Sequence, residues 1–282
     1  MNDLQLYYYD YPNFGDQLGK LLLSEIFHCD VNVSPYTTAN VVAIGSILDA
    51  LFDGTTTPRS LAAIRSQADA TQPIHVWGTG MMWQYETPIK PLRPLEIYAL
   101  RGPLTKMQVE KSLGIPLTCT LADPGLLAPL LLKEKPVKQY RVGIVPHYAE
   151  KEEKLLEKMQ TFYSNSVIID VQKDTRSVIR QIAECEVIFS TSLHGLIVAD
   201  SFGIPSQWCK LTDKILGNDY KYHDYYQSLG IDRNPLILTE DVWPSSETVE
   251  KRNDTPFEII LEKQQALIDA GLRMLRDINF LG

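Results

Sequence analysis

Short apolar runs rich in β-branched and aromatic residues alternate along this chain with longer stretches of helical period, and nearly every run stops in a glycine, serine or aspartate break. That alternation constrains the fold more than any other feature. A run too short for a helix suits a buried strand of a parallel sheet, and the periodic stretch behind it suits the crossover helix. It predicts an α/β protein with strands over Leu4 to Tyr9, Val41 to Ile44, Ile74 to Trp77, Glu96 to Leu100, Arg141 to Val145, Val167 to Asp170, Val187 to Phe189 and Ser206 to Cys209. At "LLKEKPVKQYR", residues 131–141, a charged segment with a proline interrupts the apolar text, as an interdomain connection does. The expected boundary lies near Pro136, giving domains over 1–135 and 136–254. The tail opens with Thr255 as N-cap, Pro256 at the first helical position and Glu258 closing a capping box, and then keeps helical spacing. One long amphipathic helix over 255–282 is expected, packed back toward the first domain.

The breaks themselves are informative. They read "NFGD" at 13–16, "GSILD" at 45–49, "GTG" at 78–80, "RGPLT" at 101–105, "PHY" at 146–148 and "STSLHG" at 190–195. In open α/β sheets ligands bind outside the carboxyl ends of the strands, where glycine lets backbone approach and helix N-termini offer N–H groups. Each break can equally be a turn or a helix cap. Together they predict the walls of one cleft, with Asn13, Gly15, Gly45, Gly78, Gly80, Ser192 and Gly195 as binding positions.

The ligand in that cleft is constrained by charge. A formal net charge of -8 argues against nucleic acid, whose binders carry a basic footprint, but leaves room for a local pocket for a small anion. Cys29, Cys119, Cys185 and Cys209 form no CxxC pair and fit neither a disulfide framework nor a zinc site, and no clustered ligand set predicts a metal. The opening "MNDLQLYYYD" lacks the layout of a signal peptide, and "GLLAPLLL" is far short of a membrane span. A cytoplasmic location follows as an expectation.

Three residues stand out as candidates for chemistry. His194 falls in the first turn of a helix that follows a buried strand, where the helix dipole favours an anion and an anion would push an imidazole toward its protonated form. It can bind that anion or donate a proton. Arg101 ends a strand, where its guanidinium can grip a carboxylate or phosphate with two parallel bonds or pair with a nearby acid. Asp16 can act as a base or simply cap its helix. Asp123 reads as a turn or cap, and His147 as a neighbour of the ligand.

The ordered set "NFGDQL", "GSIL", "WGTG", "RGPLT", "DPGLL" and "SLHGLIVAD", spread over residues 13–210, resembles the polysaccharide pyruvyl transferase family. The resemblance implies two Rossmann-like domains facing across a cleft, as in GT-B glycosyltransferases, and transfer of pyruvate from phosphoenolpyruvate to a sugar as a cyclic ketal. Phosphoenolpyruvate is then a co-substrate, with no cofactor or metal. The acceptor belongs to an exopolysaccharide or capsule repeat unit, held on a lipid carrier at the inner membrane face. The resemblance also implies that the donor lies at the helix carrying His194. Many members have arginine two residues before this histidine, where the chain has Ser192, so Arg101 or Lys210 is the expected charge partner.

Two other readings share the architecture. One is a nucleotide-sugar glycosyltransferase in which Asp200 approaches a ribose or sugar hydroxyl, and the other is a silent sugar-binding protein. Trp83, Tyr85, Tyr220, Tyr222, Tyr225 and Tyr226 are candidates for stacking on sugars or for the core.

Overall fold

The computed structural model describes residues 4–9, 11–53, 72–134, 136–251 and 257–278. The first half builds a parallel sheet of β1 (Leu4–Tyr7), β2 (Val31–Val33), β3 (Val41–Val42), β4 (Ile74–Trp77), β5 (Leu95–Leu100) and β6 (Thr120–Leu121) in the order β2-β1-β3-β4-β5-β6. The second half builds another from β7 (Tyr140–Val145), β8 (Ser166–Ile168), β9 (Cys185–Ser190), β10 (Ser206–Lys210) and β11 (Leu236–Ile237), ordered β11-β10-β9-β7-β8. Read from its first strand, each sheet starts in the middle, steps one way and then returns past its origin. The chain therefore reverses direction between β1 and β3 in one sheet and between β7 and β9 in the other. Such switch points open a crevice at the carboxyl ends of the strands.

Helices α1 (Phe14–Ile26), α2 (Pro103–Leu113), α3 (Lys154–Phe162), α4 (Thr175–Ala183), α5 (Leu193–Ser201), α6 (Tyr220–Ser228), α7 (Ser246–Glu250) and α8 (Phe257–Asp277) accompany the sheets. Their ends follow local chemistry. Asn13 caps α1, Pro103 occupies the first turn of α2, and Gly114 closes α2 in the left-handed conformation at φ 70°. A 3₁₀ segment over Pro124–Leu131 sits between the sheets and touches α1, α4, α5 and α8. One hydrophobic core runs through it, joining Leu6 and Val41 of the first sheet to Val145 and Ile188 of the second. Separate clusters cover the outer faces, with Val42 and Val76 on one side and Val142 and Val187 on the other.

Helix α8 lies against β4, β5 and β6, so the end of the chain returns to the first sheet. The indole Nε1 of Trp77 donates to the carbonyl of Leu267 at 3.0 Å, Gln264 Nε2 donates to Leu126 O at 2.8 Å, and Gly271 admits the ring of Phe27. Each fully buried apolar side chain it contributes, such as Leu267, Met274 and Leu275, adds about 1.5–3 kcal/mol. The expected caps at Thr255 and Pro256, and Lys135 at the expected boundary, lie outside the described residues. Among the described residues no helix is long and apolar enough to cross a membrane.

Candidate active site

A cavity of about 320 Å³ opens where the two switch points meet. Its walls come from the loops that follow β1 (Tyr9, Asn13, Asp16), β3 (Ser46, Ile47, Asp49), β7 (His147, Tyr148) and β9 (Ser192, His194), with Lys221 from α6.

Asp16 occupies the first turn of α1. Its Oδ2 accepts from Asn13 Nδ2 at 2.8 Å, while Asn13 Oδ1 caps the helix through Gly15 N. The task of capping thus falls to Asn13 and leaves Asp16 to the cavity. Burial raises the Asp16 pKa to about 6, against the opposing effects of the Asn13 bond and the Lys221 charge. Gly45, at φ 100°, stands behind this carboxylate, and a Cβ there would lie 2.9 Å from Asp16 Oδ1. The start of α1 is fixed to the other half of the chain by Phe14 N donating to Val171 O at 2.8 Å.

His194 is buried in the first turn of α5, and a Cβ on Gly15 would sit 2.1 Å from its Nδ1. Glycine at 15 is therefore what lets the two helix starts approach. Nε2 faces Asp123 Oδ2 at 3.9 Å, too long for a hydrogen bond, and neither atom has another partner among the described residues. The other oxygen of Asp123 caps the Pro124–Leu131 segment through Gly125 N at 2.8 Å, as the turn reading expects. Burial, with the Lys221 and Arg101 charges adding to it, holds His194 down to about 3, so its imidazole is neutral near pH 7. Burial also raises Asp123 to about 6. His147 is likewise held down to about 3, by burial and then by Lys221 and His194, and its Nδ1 accepts from Ala149 N.

Several sequence expectations change here. Arg101 does not line the cavity. It is fully buried, and each guanidinium nitrogen is engaged: Nε by Asp224 at 2.9 Å, and the two terminal nitrogens by Ser46 Oγ and Met81 O, both at 2.6 Å. The pairing alternative holds in place of a direct grip on an anion. Lys210 is occupied by Asp219 at 3.0 Å and Asp213 at 3.5 Å, outside the cavity wall. Gly78, Gly80 and Gly195 are not in the cavity wall, and added Cβ atoms there would strike Pro124, Arg101 and Ser190. Asp200 is buried and accepts from Ser206 Oγ at 3.0 Å and Tyr225 OH at 2.9 Å, so the residue named for a nucleotide sugar does not reach the cavity. Tyr222 stacks on Trp208 with centroids 4.5 Å apart, and Tyr220, Tyr225 and Tyr226 are buried with it, while Trp83 lines the cavity.

Lys221 is the residue that sequence reasoning missed. It is 7% exposed, lines the cavity and makes no hydrogen bond or ion pair among the described residues, resting instead over the Tyr222 ring at 5.4 Å. Burial lowers it to about 8, helped by Arg101 and opposed by Asp16, Asp219 and Glu150. Its signal in the sequence is faint: a single cation in the aromatic helix "YKYHDYYQS".

Comparison with known proteins places the chain in a family. The profile of the polysaccharide pyruvyl transferase family matches residues 6–209, which contain every loop of the cavity's two switch points. The chain is 30% identical over 221 residues to the uncharacterized protein L143 of Acanthamoeba polyphaga mimivirus, covering 73% of this chain and 74% of that one. It is 27% identical over 237 residues to the succinoglycan biosynthesis protein ExoV of Rhizobium meliloti (strain 1021), covering 81% of this chain and 66% of ExoV. A solved structure, that of the functional uncharacterized protein KP1_0663 from Klebsiella pneumoniae subsp. pneumoniae NTUH-K2044, is similar over 84% of this chain and 93% of that one, at 14% identity and a TM-score of 0.47. With the family profile matching well over half of the chain and ExoV similar across most of it, this protein belongs to the polysaccharide pyruvyl transferase family.

Proposed function

We propose that the protein transfers pyruvate from phosphoenolpyruvate to a sugar of a surface-polysaccharide repeat unit, forming a cyclic ketal. The observation that carries the reading is that Asp16 from one half and His194 from the other line a single cavity in a member of this family. The two halves, divided near Pro136, then face one another in the GT-B manner. The similarity to ExoV, a succinoglycan biosynthesis protein, supports an exopolysaccharide acceptor; its carriage on a lipid at the cytoplasmic face of the membrane is part of the same proposal.

In this mechanism the donor lies at the amino end of α5, where helix dipole and N–H groups favour its negative charge. Two anionic groups beside His194 reverse the balance that keeps the empty ring neutral, so the imidazole takes up a proton as the donor binds. His194 then gives that proton to the methylene carbon of phosphoenolpyruvate, and C2 gains oxocarbenium character. One sugar hydroxyl attacks C2 and loses its proton to Asp16. Phosphate departs with the electrons of its C–O bond, and a second hydroxyl closes the ketal. Of the two hydroxyl protons, one replaces the proton that His194 gave to the new methyl group and the other leaves with the phosphate as hydrogen phosphate.

A thermal-shift comparison tests donor choice. A ligand bound only by the native state stabilises it by about 2.7 kcal/mol at a hundred times its Kd, which moves Tm by several degrees. Phosphoenolpyruvate is expected to give that shift and nucleotide sugars none. A shift with a nucleotide sugar alone reverses the assignment.

A further inference from the structure

We propose that Lys221 is the cation that holds the donor's phosphate, and holds inorganic phosphate once it is released, with the buried Arg101–Asp224 pair acting on it as positioning residues. The identity of the donor rests on the pyruvyl-transfer reading; the anion site does not.

A buried amine with no polar partner is costly unless something arrives to pair with it. Lys221 is such an amine: it is more than nine-tenths buried, makes no hydrogen bond or ion pair among the described residues, and lines the cavity. Ser192 supplies no side-chain cap to α5, and Ser192, Leu193 and His194 all line the same cavity, so the amino end of a nine-residue helix adjoins the lysine's pocket. An ammonium and a helix amino end together suit a tetrahedral dianion, and a phosphate monoester is the chemical class that fits. Lys221 lies beyond the family-matched stretch of 6–209, so the general family pattern does not account for it.

The lysine is held in place from behind. Asp224, one helical turn on, accepts Arg101 Nε at 2.9 Å, Thr105 N at 2.9 Å and Thr105 Oγ1 at 2.6 Å, and a Cβ on Gly102 would collide with its backbone carbonyl at 1.9 Å. On its other side Tyr222 donates to Thr191 O at 2.6 Å, in the loop that leads to His194. Helix α6 is thereby fastened to the first half at Arg101 and to the second at Thr191. Arg101, expected to touch the anion, acts through this helix instead.

Calorimetric titration of wild type, Lys221→Met and Lys221→Arg with inorganic phosphate and with phosphoenolpyruvate tests the assignment. The methionine variant should bind both anions roughly 10- to 100-fold more weakly, since one charge-assisted bond is lost. The arginine variant should recover most of that loss. The ligand-free methionine variant should melt at or above the wild-type temperature, because a buried charge with no hydrogen bond or ion pair among the described residues has gone. Asp224→Asn should raise the donor KM severalfold in wild type yet change nothing further in the Lys221→Met background, since both act through one amine. Unchanged phosphate affinity in the methionine variant overturns the assignment, and additive effects of Asp224→Asn overturn the positioning role. Loss of phosphate binding in a protein that makes no ketal upholds the anion site and rejects the pyruvyl reading alone.

Discussion

His194→Asn is expected to lower kcat on the order of 10²–10⁴ while phosphoenolpyruvate binding falls far less. Asparagine keeps much of the size and polarity of the ring but cannot deliver a proton. The ring is buried, with Gly15 packed against its Nδ1 edge and Asp123 Oδ2 3.9 Å from Nε2, so a polar substitution of similar size isolates the loss of the proton. The pH profile separates roles. If His194 is the acid, wild-type kcat falls as pH rises through its pKa in the donor complex, and the asparagine variant lacks that limb. If donor affinity collapses while the residual profile keeps its shape, His194 is an anion ligand and His147, which lines the same cavity, is the next acid to test. Full activity in the variant rejects both roles.

Asp16→Asn is expected to lower kcat roughly 10²- to 10³-fold through loss of the base. Its pKa, raised to about 6 by burial, predicts the direction: wild-type kcat/KM for the acceptor rises as pH climbs through about 6 and the carboxylate ionises. The asparagine variant should have no such rise. Stability provides the control. The folded pKa of Asp16 lies above its ordinary 3.8, so the fold loses stability as pH rises from about 3.8 to about 6, and the neutral variant escapes that loss. At pH 7 the variant should therefore melt no lower than wild type, and its lost activity is not unfolding. A variant with lower Tm and an intact acid limb would falsify the base assignment and return Asp16 to a structural role.

What the sequence made legible follows from burial. Central strands such as Ile74–Trp77 are buried on both faces and read as short, mainly apolar runs. Val31–Val33, Thr120–Leu121 and Leu236–Ile237 escaped because they are short edge strands, partly exposed, with no apolar run to mark them. The loops of the site were legible for a topological reason: breaks at the carboxyl ends of β1, β3, β7 and β9 converge whichever residues fill them. Side-chain partners were not. Arg101 finds Asp224 123 positions away, and only the packing of α6 on α2 brings them together. Lys221 was hidden by its tyrosine neighbours, whose burial against Trp208 carries the lysine inward with them. Glycines misled in a different way. A glycine that admits a ligand and one that admits a neighbouring side chain look alike in sequence, and Gly80 admits Arg101.

The most direct test of pyruvyl transfer is mass and NMR analysis of a saccharide acceptor incubated with the protein and phosphoenolpyruvate. The expected product is heavier by one pyruvic acid less one water and shows a ketal methyl resonance, with one inorganic phosphate released per ketal, none of it formed by His194→Asn at a comparable rate. Phosphate released without any change in the saccharide, or a saccharide extended by a sugar from a nucleotide donor and untouched by phosphoenolpyruvate, would contradict pyruvyl transfer.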